Sequence, residues 1–475
     1  MIIGGEAVDA ASGRTFAVVN PATEEELARV AEGDAADVDR AVSSARETFE
    51  SEGWQRTSAR KRGEMLYRMA ELVQAHRDEL ARLETLNNGK PLFESLIDVK
   101  LTVETFRYYA GWADKIHGET IPVDGPFLNY TLREPLGVVG AIVPWNFPIS
   151  LAAWKIAPAL ACGNTVVLKP AEQTPFTGLR LAELALEAGF PPGALNCITG
   201  FGPVVGAPLV RHHDVAKIAF TGSTEVGRQV MREAAATLKK VGLELGGKSP
   251  NIVFADADLD AAARGALTGI FYGKGEVCAA GSRLLVEEDA VDELRAKVLD
   301  RAKRMVAGDP LNPKTRLGPL VSERQMRRVL DYIERGKSEG ATLLSGGERC
   351  PLDGKGYYVQ PTIFGDVTRD MSIARDEIFG PVLAMMPFSG GVDGAAAAAN
   401  DTMYGLAAGV WTRDIKKALR TARAVQAGTV WVNTYNMYDP ASPFGGFKQS
   451  GFGRDLGVHA LGEYTQVKSV WVDLS

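Results

Sequence analysis

The amino-acid sequence predicts an α/β protein built from at least two domains. Short apolar segments alternate with amphipathic ones along most of the chain, a pattern typical of parallel sheets covered by helices on both faces. The alternation begins again after Gly247, so we expect a second α/β domain from about that residue. The length agrees with this division, because 475 residues exceed what a single hydrophobic core holds together.

The first half of the chain has the element order of a Rossmann-type domain. Hydrophobic periodicity predicts a helix at 36–51, with Asp34 as its N-cap, and one long amphipathic helix at 60–86. The elements expected after them are a strand at 138–143, a strand at 164–168, a helix at 177–188, a strand at 215–220 and a helix at 225–238. This βαβαβ order is the skeleton of a nucleotide-binding fold.

One uncharged segment, residues 135–154, is long enough to cross a bilayer. It contains three prolines and two glycines, and these would interrupt a membrane-spanning helix repeatedly. We therefore predict a buried strand, a turn and a helix in this segment, and no membrane partner.

The second half repeats the alternation and ends in a β-rich tail. The predicted elements are a strand at 280–287, helices at 291–306 and 322–338, a close-packed alanine helix face at 395–399 and a strand at 429–433. Residues 464–474 are β-rich but have little left to pair with nearby. Such a tail often adds a strand to a neighbouring molecule, so we expect its edge to be buried in an oligomer.

Composition and charge exclude several classes of protein. With 45% apolar and 24% charged residues, the chain is globular rather than disordered, collagen-like or a coiled coil. Lys+Arg 53 and Asp+Glu 59 leave a net charge of −6, which does not favour a nucleic-acid partner. Four widely spaced cysteines and five histidines show no metal-ligand spacing, so we expect no metal site and no disulfide framework. With no basic residue in residues 1–10 to suggest a signal peptide, we expect a cytoplasmic protein.

Three residues stand out as candidates for chemistry. Cys278 lies among small residues, which let backbone amides approach whatever its sulfur attacks; the alternative is a buried structural cysteine. Glu244 lies between two leucines, where burial would raise its pKa into the range of a general base; the alternative is an ion pair with Lys248. Asn146 lies between two prolines at a strand end, where a fixed amide suits an oxyanion hole.

Two segments at strand ends suit a nucleotide. The run from Phe220 to Gly227 follows a strand and opens a helix, whose free N–H groups can hold a phosphate. The run lacks the GxGxxG pattern, so an ordinary capped helix explains it about as well. Lys169 and Glu172 lie just past another strand, where a cation and a carboxylate could hold ribose hydroxyls; the alternative is a solvated turn with an incidental ion pair.

Seven short motifs follow one another between residues 144 and 451. They are PWNFP at 144–148, KPAEQTP at 169–175, FTGS at 220–223, LELGGKSP at 243–250, the cysteine segment at 275–283, EIFGP at 377–381 and PFGGFKQSG at 443–451. In this order, and with Cys278 34 positions after Glu244, the chain resembles the NAD(P)-dependent aldehyde dehydrogenase superfamily from about residue 20 to the C-terminus.

The resemblance implies NAD-dependent oxidation of an aliphatic or aromatic aldehyde to the carboxylic acid. Cys278 would form a thiohemiacetal and then a thioester, Asn146 would hold the oxyanion, and water activated by Glu244 would hydrolyse the thioester. The implied cofactor contacts are Val143, Trp145, Lys169, Glu172, Phe220, Gly222, Ser223, Glu377 and Phe379. The implied substrate contacts, all apolar or aromatic, are Phe147, Leu151, Trp154, Tyr438 and Phe444. Because a carboxylate at Glu172 would repel a 2′-phosphate, NAD is favoured and NADP is the alternative.

The resemblance also implies an aldehyde dehydrogenase-like fold with three parts. A discontinuous Rossmann-type NAD-binding domain would comprise 1–116 and 136–247, and a second α/β catalytic domain would comprise 248–450. A small β oligomerisation element would combine 117–135 with 451–475, and the protein would be a homodimer or homotetramer.

Four residues depart from the family pattern. Glu276 stands where Gln is usual, and Val277 and Ala279 stand where cysteines often flank the nucleophile. Asp455 stands where many members have Glu, at a position sometimes given a proton-relay role. None of these changes removes a principal catalytic group, although they leave the substrate and any relay open.

Three other functions compete with oxidation to the acid. An enzyme that passes the acyl group to coenzyme A would need no water-activating base, so Glu244 argues against it. A non-catalytic structural protein is disfavoured because Cys278, Glu244 and Asn146 are all present, and a thiol hydrolase without cofactor is disfavoured by the cofactor motifs.

Overall fold

A computed structural model describes residues 1–475, which form twenty strands and sixteen α-helices. The strands are β1 (Ile2–Ile3), β2 (Glu6–Ala7), β3 (Thr15–Val19), β4 (Glu26–Ala31), β5 (Thr120–Ile121), β6 (Phe127–Pro135), β7 (Val138–Ile142), β8 (Thr165–Lys169), β9 (Leu195–Cys197), β10 (Val215–Thr221), β11 (Lys240–Glu244), β12 (Pro250–Val253), β13 (Arg283–Glu287), β14 (Thr342–Ser345), β15 (Thr362–Gly365), β16 (Val382–Phe388), β17 (Ala407–Trp411), β18 (Thr429–Val432), β19 (Gly451–Phe452) and β20 (Thr465–Asp473). The helices are α1 (Ala35–Glu50), α2 (Glu52–Gln55), α3 (Ala59–Ala75), α4 (Arg77–Asn88), α5 (Leu92–Trp112), α6 (Pro148–Ala161), α7 (Phe176–Glu187), α8 (Ala207–Arg211), α9 (Thr224–Ala234), α10 (Leu259–Phe271), α11 (Val291–Ala302), α12 (Glu323–Ser338), α13 (Ser372–Arg375), α14 (Gly391–Asn400), α15 (Ile415–Ala424) and α16 (His459–Glu463).

The first sheet has eight strands in the order β19-β11-β10-β7-β8-β9-β1-β2. Its five central strands are parallel, and the short strands at its two edges are antiparallel. The carboxyl ends of β11, β10, β7 and β8 therefore meet along one edge of this sheet, which is where open α/β sheets bind their ligands.

The second sheet has seven strands in the order β14-β15-β16-β13-β12-β17-β18. All its pairings are parallel except the one between β14 and β15 at the edge. The expectation of an α/β protein with a second alternating unit after residue 247 is confirmed, since β12 begins at Pro250. The largest apolar core includes residues from both sheets, such as Val139 and Val253, so the two sheets are packed into one body.

The β-rich tail pairs within its own chain. Strand β20 runs antiparallel to β6 over nine residue pairs, and β5 completes a three-stranded sheet. The expectation that the tail has no partner nearby in the sequence is confirmed, because its partner strand lies more than three hundred residues earlier. The outer edge of β20 has no partner within the chain, and the domain limits drawn from the resemblance stay a prediction.

The predicted long helix at 60–86 is two helices, α3 and α4. His76 ends the first and precedes the second with backbone angles of φ −95° and ψ 19°, outside the helical range. Asp78 and Glu79 then lie in the first turn of α4, where acidic side chains interact favourably with the helix dipole. The apolar spacing continues across this break, which is why the sequence pattern showed a single helix.

The other predicted elements of the two large sheets are confirmed within a few residues at each end. The N-cap at Asp34 is confirmed, with its side chain accepting the Ala36 N–H. The uncharged segment forms strand β7, a turn and helix α6, as expected. The strand expected at 280–287 begins only at Arg283, because the residues before it belong to the turn that carries Cys278. Among the helices, none combines the length and the apolar character that a bilayer-spanning segment needs.

Candidate active site

The structure brings the three candidate catalytic residues to the edge where the first sheet faces the second. Glu244 is the last residue of β11, and Asn146 lies in the turn that follows β7. Cys278 follows the turn after α10, just before the second sheet begins its strand β13. The two sheets thus supply opposite sides of one site.

An unusual turn directs the nucleophile candidate. Gly273, Lys274 and Gly275 all have left-handed backbone angles, with φ of 57°, 62° and 74°. A lysine in this region is strained, and such strain is concentrated at functional sites. The turn leaves Cys278 partly exposed, so it is not the buried structural cysteine of the alternative interpretation.

The glycine pair after Glu244 lets the two sides approach closely. A Cβ at Gly247 would collide with the carbonyl oxygen of Cys278, and a Cβ at Gly246 would collide with the carboxylate of Glu377. The backbone that leaves β11 therefore touches both the nucleophile segment and a predicted cofactor contact. This contact explains why the motif needs glycine at both positions.

The side-chain amide of Asn146 is fixed and has hydrogen-bonding capacity to spare. Its Nδ2 donates to the backbone carbonyl of Glu276 at 2.9 Å, two residues before the cysteine. Its Oδ1 is buried without a partner. Because an amide carries two N–H donors, one of them remains for an oxygen bound beside Cys278.

Glu244 is 6% exposed, and neither of its carboxylate oxygens has a hydrogen-bond partner. Burial, and then the nearby charge of Asp455, raise its pKa well above the ordinary value of a glutamate. The alternative of an ion pair with Lys248 is wrong, because the Nζ of Lys248 is also buried without a partner. A buried, unpaired carboxylate with a raised pKa is the state expected of a general base.

The surroundings of Cys278 disfavour the charged form of its thiol. Burial raises its pKa to about 12, with further contributions from the charges of Glu377 and Glu244. Forming the reactive thiolate therefore needs a proton acceptor or a positive charge nearby.

The adenosine side of the predicted cofactor site lies at the ends of β8 and β10. Lys169 is 3% exposed at the end of β8, and its Nζ lies 3.5 Å from the carboxylate of Glu172. The ion pair of the alternative interpretation exists, but the lysine is buried rather than part of a solvated turn. Ser223 caps α9 by accepting the Val226 N–H. Both strand ends suit a dinucleotide. The end of β8 offers a cation and an acid, and the end of β10 leads into the N-terminus of α9.

The remaining residues predicted on this side are packed around the same strand ends. Val143 follows β7 and donates its N–H to the Lys169 carbonyl at 3.1 Å, while Phe220 is buried in β10. Gly222 lies against the Phe220 ring, where a Cβ would be in close contact with the ring carbons. This packing holds the backbone of two neighbouring strand ends at a fixed separation.

The nicotinamide side is formed by residues that lie next to the cysteine. Glu377 accepts the Gly247 N–H at 2.9 Å, and burial raises its pKa to about 7. Phe379 has a left-handed backbone with φ of 64°, and its ring meets that of Trp145 edge to face at 5.2 Å. An aromatic pair beside an acid, held by a strained backbone, fits the ring and ribose of a nicotinamide nucleotide.

Three of the five predicted substrate contacts form one aromatic cluster. Ring centroids of Trp154, Tyr438 and Phe444 lie between 5.6 and 6.3 Å apart. Phe147 lies apart from this cluster and stacks on Tyr272 instead. The fifth predicted contact, Leu151, is buried in helix α6 and belongs to the core. Cys278, Phe147 and Tyr438 are partly buried and pack against the same core.

Sequence reasoning missed Lys155, the buried partner of Asp455 behind the site. Lys155 and Asp455 form an ion pair at 2.8 Å and are 1% and 6% exposed. Lys155 lies in α6, whose residues are all buried. Lys155 is the only charged residue of this apolar helix and directly follows the uncharged segment 135–154, and this could have indicated its role.

These features define the class of an α/β enzyme with a cysteine, an amide and a buried acid around one site. Known proteins show the same organisation. The model of the aldehyde dehydrogenase family matches residues 7–470. The chain is 52% identical to aldehyde dehydrogenase 1A1 of Gallus gallus over 478 residues, which covers 100% of this chain and 93% of that protein.

Solved structures agree over the same length. An aldehyde dehydrogenase from Bacillus cereus in complex with NAD+ has a TM-score of 0.98 and 51% identity, covering 100% of this chain and 96% of that one. The indole-3-acetaldehyde dehydrogenase AldA of P. syringae, in complex with NAD+ and IAA, has a TM-score of 0.98 and 48% identity, with the same coverage. The chain therefore belongs to the aldehyde dehydrogenase family, and the predicted family, fold class and enzyme class are confirmed.

Proposed function

We propose that the protein oxidises an aliphatic or aromatic aldehyde to the carboxylic acid with NAD, by way of a thioester on Cys278. The observation that carries the proposal is the convergence of three groups. The backbone after Glu244 touches the Cys278 carbonyl, and the Asn146 amide is bonded to the carbonyl of Glu276. A thiol, a neutral amide donor and a carboxylate without a partner thus border one space.

In the first step the Cys278 thiol gives its proton to bulk water, and the thiolate then attacks the aldehyde carbon to form a thiohemiacetal. The free N–H of Asn146 and the backbone N–H of Cys278 stabilise the oxyanion. Removing one such donor typically lowers the rate by about 10²–10³-fold. NAD, when bound, would supply the hydride acceptor, and loss of the hydride from the thiohemiacetal would leave the thioester on Cys278.

NAD is held by the residues at the strand ends. Lys169 and Glu172 would hold the adenosine ribose, the start of α9 the pyrophosphate and Glu377 the nicotinamide ribose. A 2′-phosphate would lie against the carboxylate of Glu172. This carboxylate is 31% exposed, and its ion pair is with Lys169. We therefore propose a preference for NAD over NADP, measured as the ratio of their kcat/KM values.

In the second step Glu244 takes a proton from water, and the hydroxide attacks the thioester. The carboxylic acid leaves, and the Cys278 thiolate takes the proton that Glu244 holds, so that the thiol and the Glu244 carboxylate are both restored. This role fits a carboxylate that is buried, raised in pKa and without a hydrogen-bond partner.

The substrate class follows from the aromatic side chains before the thiol. The cluster of Trp154, Tyr438 and Phe444 offers apolar surface, and no Arg or Lys belongs to it. An uncharged aliphatic or aromatic aldehyde suits this lining better than one with a second carboxylate. Comparing kcat/KM across such aldehydes and a charged semialdehyde tests the preference.

The central test replaces the nucleophile. Cys278→Ala should abolish NAD-dependent aldehyde oxidation, because no covalent intermediate can form, and it should leave NAD binding intact. Activity is followed by NADH absorbance and NAD binding by calorimetry on the same preparation. Turnover at the wild-type rate in this variant would refute the assignment.

The same assay separates the competing functions. Formation of acyl-coenzyme A instead of the free acid would favour acyl transfer, and oxidation of no aldehyde by the wild-type protein would favour a structural role.

We further propose a homo-oligomer in the cytoplasm. The exposed apolar side chains of the three-stranded sheet support the oligomer, and four free cysteines support a reducing compartment.

A further inference from the structure

The turn that carries Asn146 is held by very little of its own backbone. Between Pro144 and Asn146 the backbone makes a single hydrogen bond, through the carbonyl of Trp145. The proline at either end of the turn restricts the chain, but it has no N–H with which to tie the turn to a neighbour. The donor to the Trp145 carbonyl is the side chain of Asn88, whose Nδ2 lies 2.7 Å away. A residue outside the turn therefore fixes the peptide bond that leads into Asn146.

Asn88 is itself buried, and its side-chain amide is held in one orientation. It is the last residue of α4 and is 0% exposed. Its Oδ1 accepts the Nζ of Lys274 at 2.8 Å and the backbone N–H of Lys90 at 3.1 Å. Its own carbonyl accepts a further bond from the Lys274 Nζ at 2.9 Å. Because an ammonium only donates, a reversed amide would turn its NH2 against Lys274, so the donor faces Trp145.

The side chain of Asn146 leads back to the same lysine. Its Nδ2 donates to the carbonyl of Glu276, and the Glu276 carboxylate pairs with the Lys274 Nζ at 2.8 Å. The contacts close a ring that runs from Asn88 through the Trp145 carbonyl to Asn146, and from there through Glu276 and Lys274 back to Asn88. The backbone and the side chain of Asn146 are thus held by groups that also hold each other.

A role at the helix end does not account for the side chain of Asn88. The N–H of Gly89 bonds to the carbonyl of Thr85, so α4 is closed by backbone groups alone. The Asn88 side chain makes no hydrogen bond to any residue of α4. It points instead to the turn of Asn146 and to the turn before Cys278, which are the two sides of the candidate site.

We propose that Asn88 is a positioning residue for the amide that holds the oxyanion. This inference rests on the proposed function, in which the free N–H of Asn146 stabilises the oxyanion. Asn88 acts through Asn146 and not on the aldehyde: it fixes where the backbone of Asn146 lies, while the Glu276 carbonyl fixes the direction of the amide. Such a donor must be accurately placed, since a displacement of about 1 Å can lower a rate by about 10²-fold.

The test replaces only the donor of Asn88. Asn88→Asp keeps an oxygen toward Lys274 and puts a second oxygen, in place of the N–H, against the Trp145 carbonyl. With hexanal and saturating NAD, the first turnover should be about 10- to 100-fold slower, followed as NADH by stopped-flow absorbance. The hexanal concentration for the half-maximal rate should change by less than about twofold, because the oxyanion exists only after the aldehyde has bound.

Asn88→Ser gives a second measurement of the same effect. Its shorter side chain withdraws the donor from the Trp145 carbonyl without adding a charge beside Lys274. It should slow the first turnover to a similar extent as Asn88→Asp.

A double variant separates positioning from general structural damage. Asn146→Ala should itself slow the first turnover by about 10²–10³-fold, because it removes one donor to the oxyanion. Adding Asn88→Asp should then slow it by less than about twofold more, since no amide is left to position. Damage that does not act through Asn146 would multiply the two losses.

The matched control is Asn196→Asp. Asn196 is also 0% exposed, and its side chain also donates to a carbonyl, that of Gly193, and accepts an N–H, that of Gly4, both at 2.9 Å. It lies in β9, and its side chain bonds to no residue of the candidate site. Asn196→Asp should lower the melting temperature, as Asn88→Asp does, and should leave the first turnover at the wild-type rate.

Three results would overturn the proposal: a wild-type first turnover in Asn88→Asp and Asn88→Ser, losses that multiply in the double variant, or an equal loss in Asn196→Asp. If Asn146→Ala reacts at the wild-type rate, the oxyanion role of Asn146 in the proposed function fails instead.

Discussion

Glu244 is the proposed general base for hydrolysis of the thioester in the second step. Its carboxylate has no partner in the protein, and its raised pKa means that the basic form is lost as pH falls through that value. Glu244→Gln should therefore accumulate the acyl-enzyme, with hydrolysis slowed by about 10²–10⁴-fold. Intact-protein mass spectrometry after mixing with aldehyde and NAD detects the adduct.

The pH profile gives the same prediction a second readout. In the wild-type protein the rate of hydrolysis should rise with pH as Glu244 loses its proton, whereas the Gln variant should lose that dependence. An adduct-free Glu244→Gln protein, or an unaltered pH profile, would count against the base role. Cys278→Ala serves as the control, because it can form no adduct at all.

Single residues also show how far sequence reasoning reached. Cys278, Glu244 and Asn146 could be named because each lies in a distinctive local motif. Lys155 lies in a segment without a distinctive motif, and its place behind the site depends on a cavity bordered by five separate stretches of chain. No local pattern encodes that meeting, so the three-dimensional structure was needed to find it.

At the scale of an element, the turn before the nucleophile rests on a buried cluster of charges. Lys274 pairs with Glu276 at 2.8 Å and also donates to the side chain and backbone of Asn88. Beside it, Lys90 pairs with Asp98 at 2.5 Å. The remaining acids of the cluster are Glu84 and Glu94, whose pKa values burial raises to about 7 and about 8.

The balance of this cluster explains the departure at Glu276. Lys90 contacts Asp98 and, at 3.8 Å, Glu84, whereas Lys274 forms its ion pair with Glu276. Glu276 also accepts the Val321 N–H at 3.0 Å, and its carbonyl holds Asn146. The glutamate is therefore coupled to the lysine two residues earlier, and the pair together positions the cysteine segment.

Removing one partner of this ion pair should lower the free energy of unfolding more than removing both charges. Glu276→Ala leaves the buried ammonium of Lys274 without its carboxylate and should destabilise the protein by about 3–5 kcal/mol. The double variant Lys274→Gln/Glu276→Gln removes both charges and keeps hydrogen-bonding groups, so it should lose much less. Urea unfolding monitored by fluorescence measures both. Equal losses in the two variants would show that the charges are not coupled.

Element boundaries were predicted well where one apolar face repeats and poorly where a turn interrupts it. Strands β7, β8 and β10 were found because each is a buried apolar run with helices on either side. The break between α3 and α4 at His76 was not predicted, because the apolar spacing continues through it. The late start of β13 reflects the nucleophile turn, whose left-handed residues no periodicity encodes.

At the scale of the whole molecule, the site exists because two sheets meet. The first sheet supplies Glu244 and Asn146, the connection to the second supplies Cys278, and a segment before β16 supplies Glu377. The order of the motifs along the chain predicted that these residues meet at one site only through the family resemblance. Composition and periodicity alone gave two α/β units but not their relative position.

The three-stranded sheet carries the last prediction, which concerns assembly. Val467 is 60% exposed and Trp471 59% exposed on β20, and Phe127 and Leu132 on β6 are exposed as well. Apolar side chains of this size clustered on one small sheet are typical of a contact with another chain. We therefore expect the wild-type protein to be a dimer or a tetramer of identical chains at micromolar concentration.

Charge placed on this sheet should weaken the assembly. Val467→Glu/Trp471→Glu should raise the dissociation constant by about 30-fold or more, because it removes central apolar contacts and would bury two carboxylates. Sedimentation equilibrium measures the constant directly. Leu419→Glu is the matched control, since Leu419 is 62% exposed on α15, away from the three-stranded sheet, and should leave the assembly unchanged. A monomeric wild-type protein, or a double variant that associates as tightly as the control, would mean that these apolar side chains serve some contact other than one between copies of this chain.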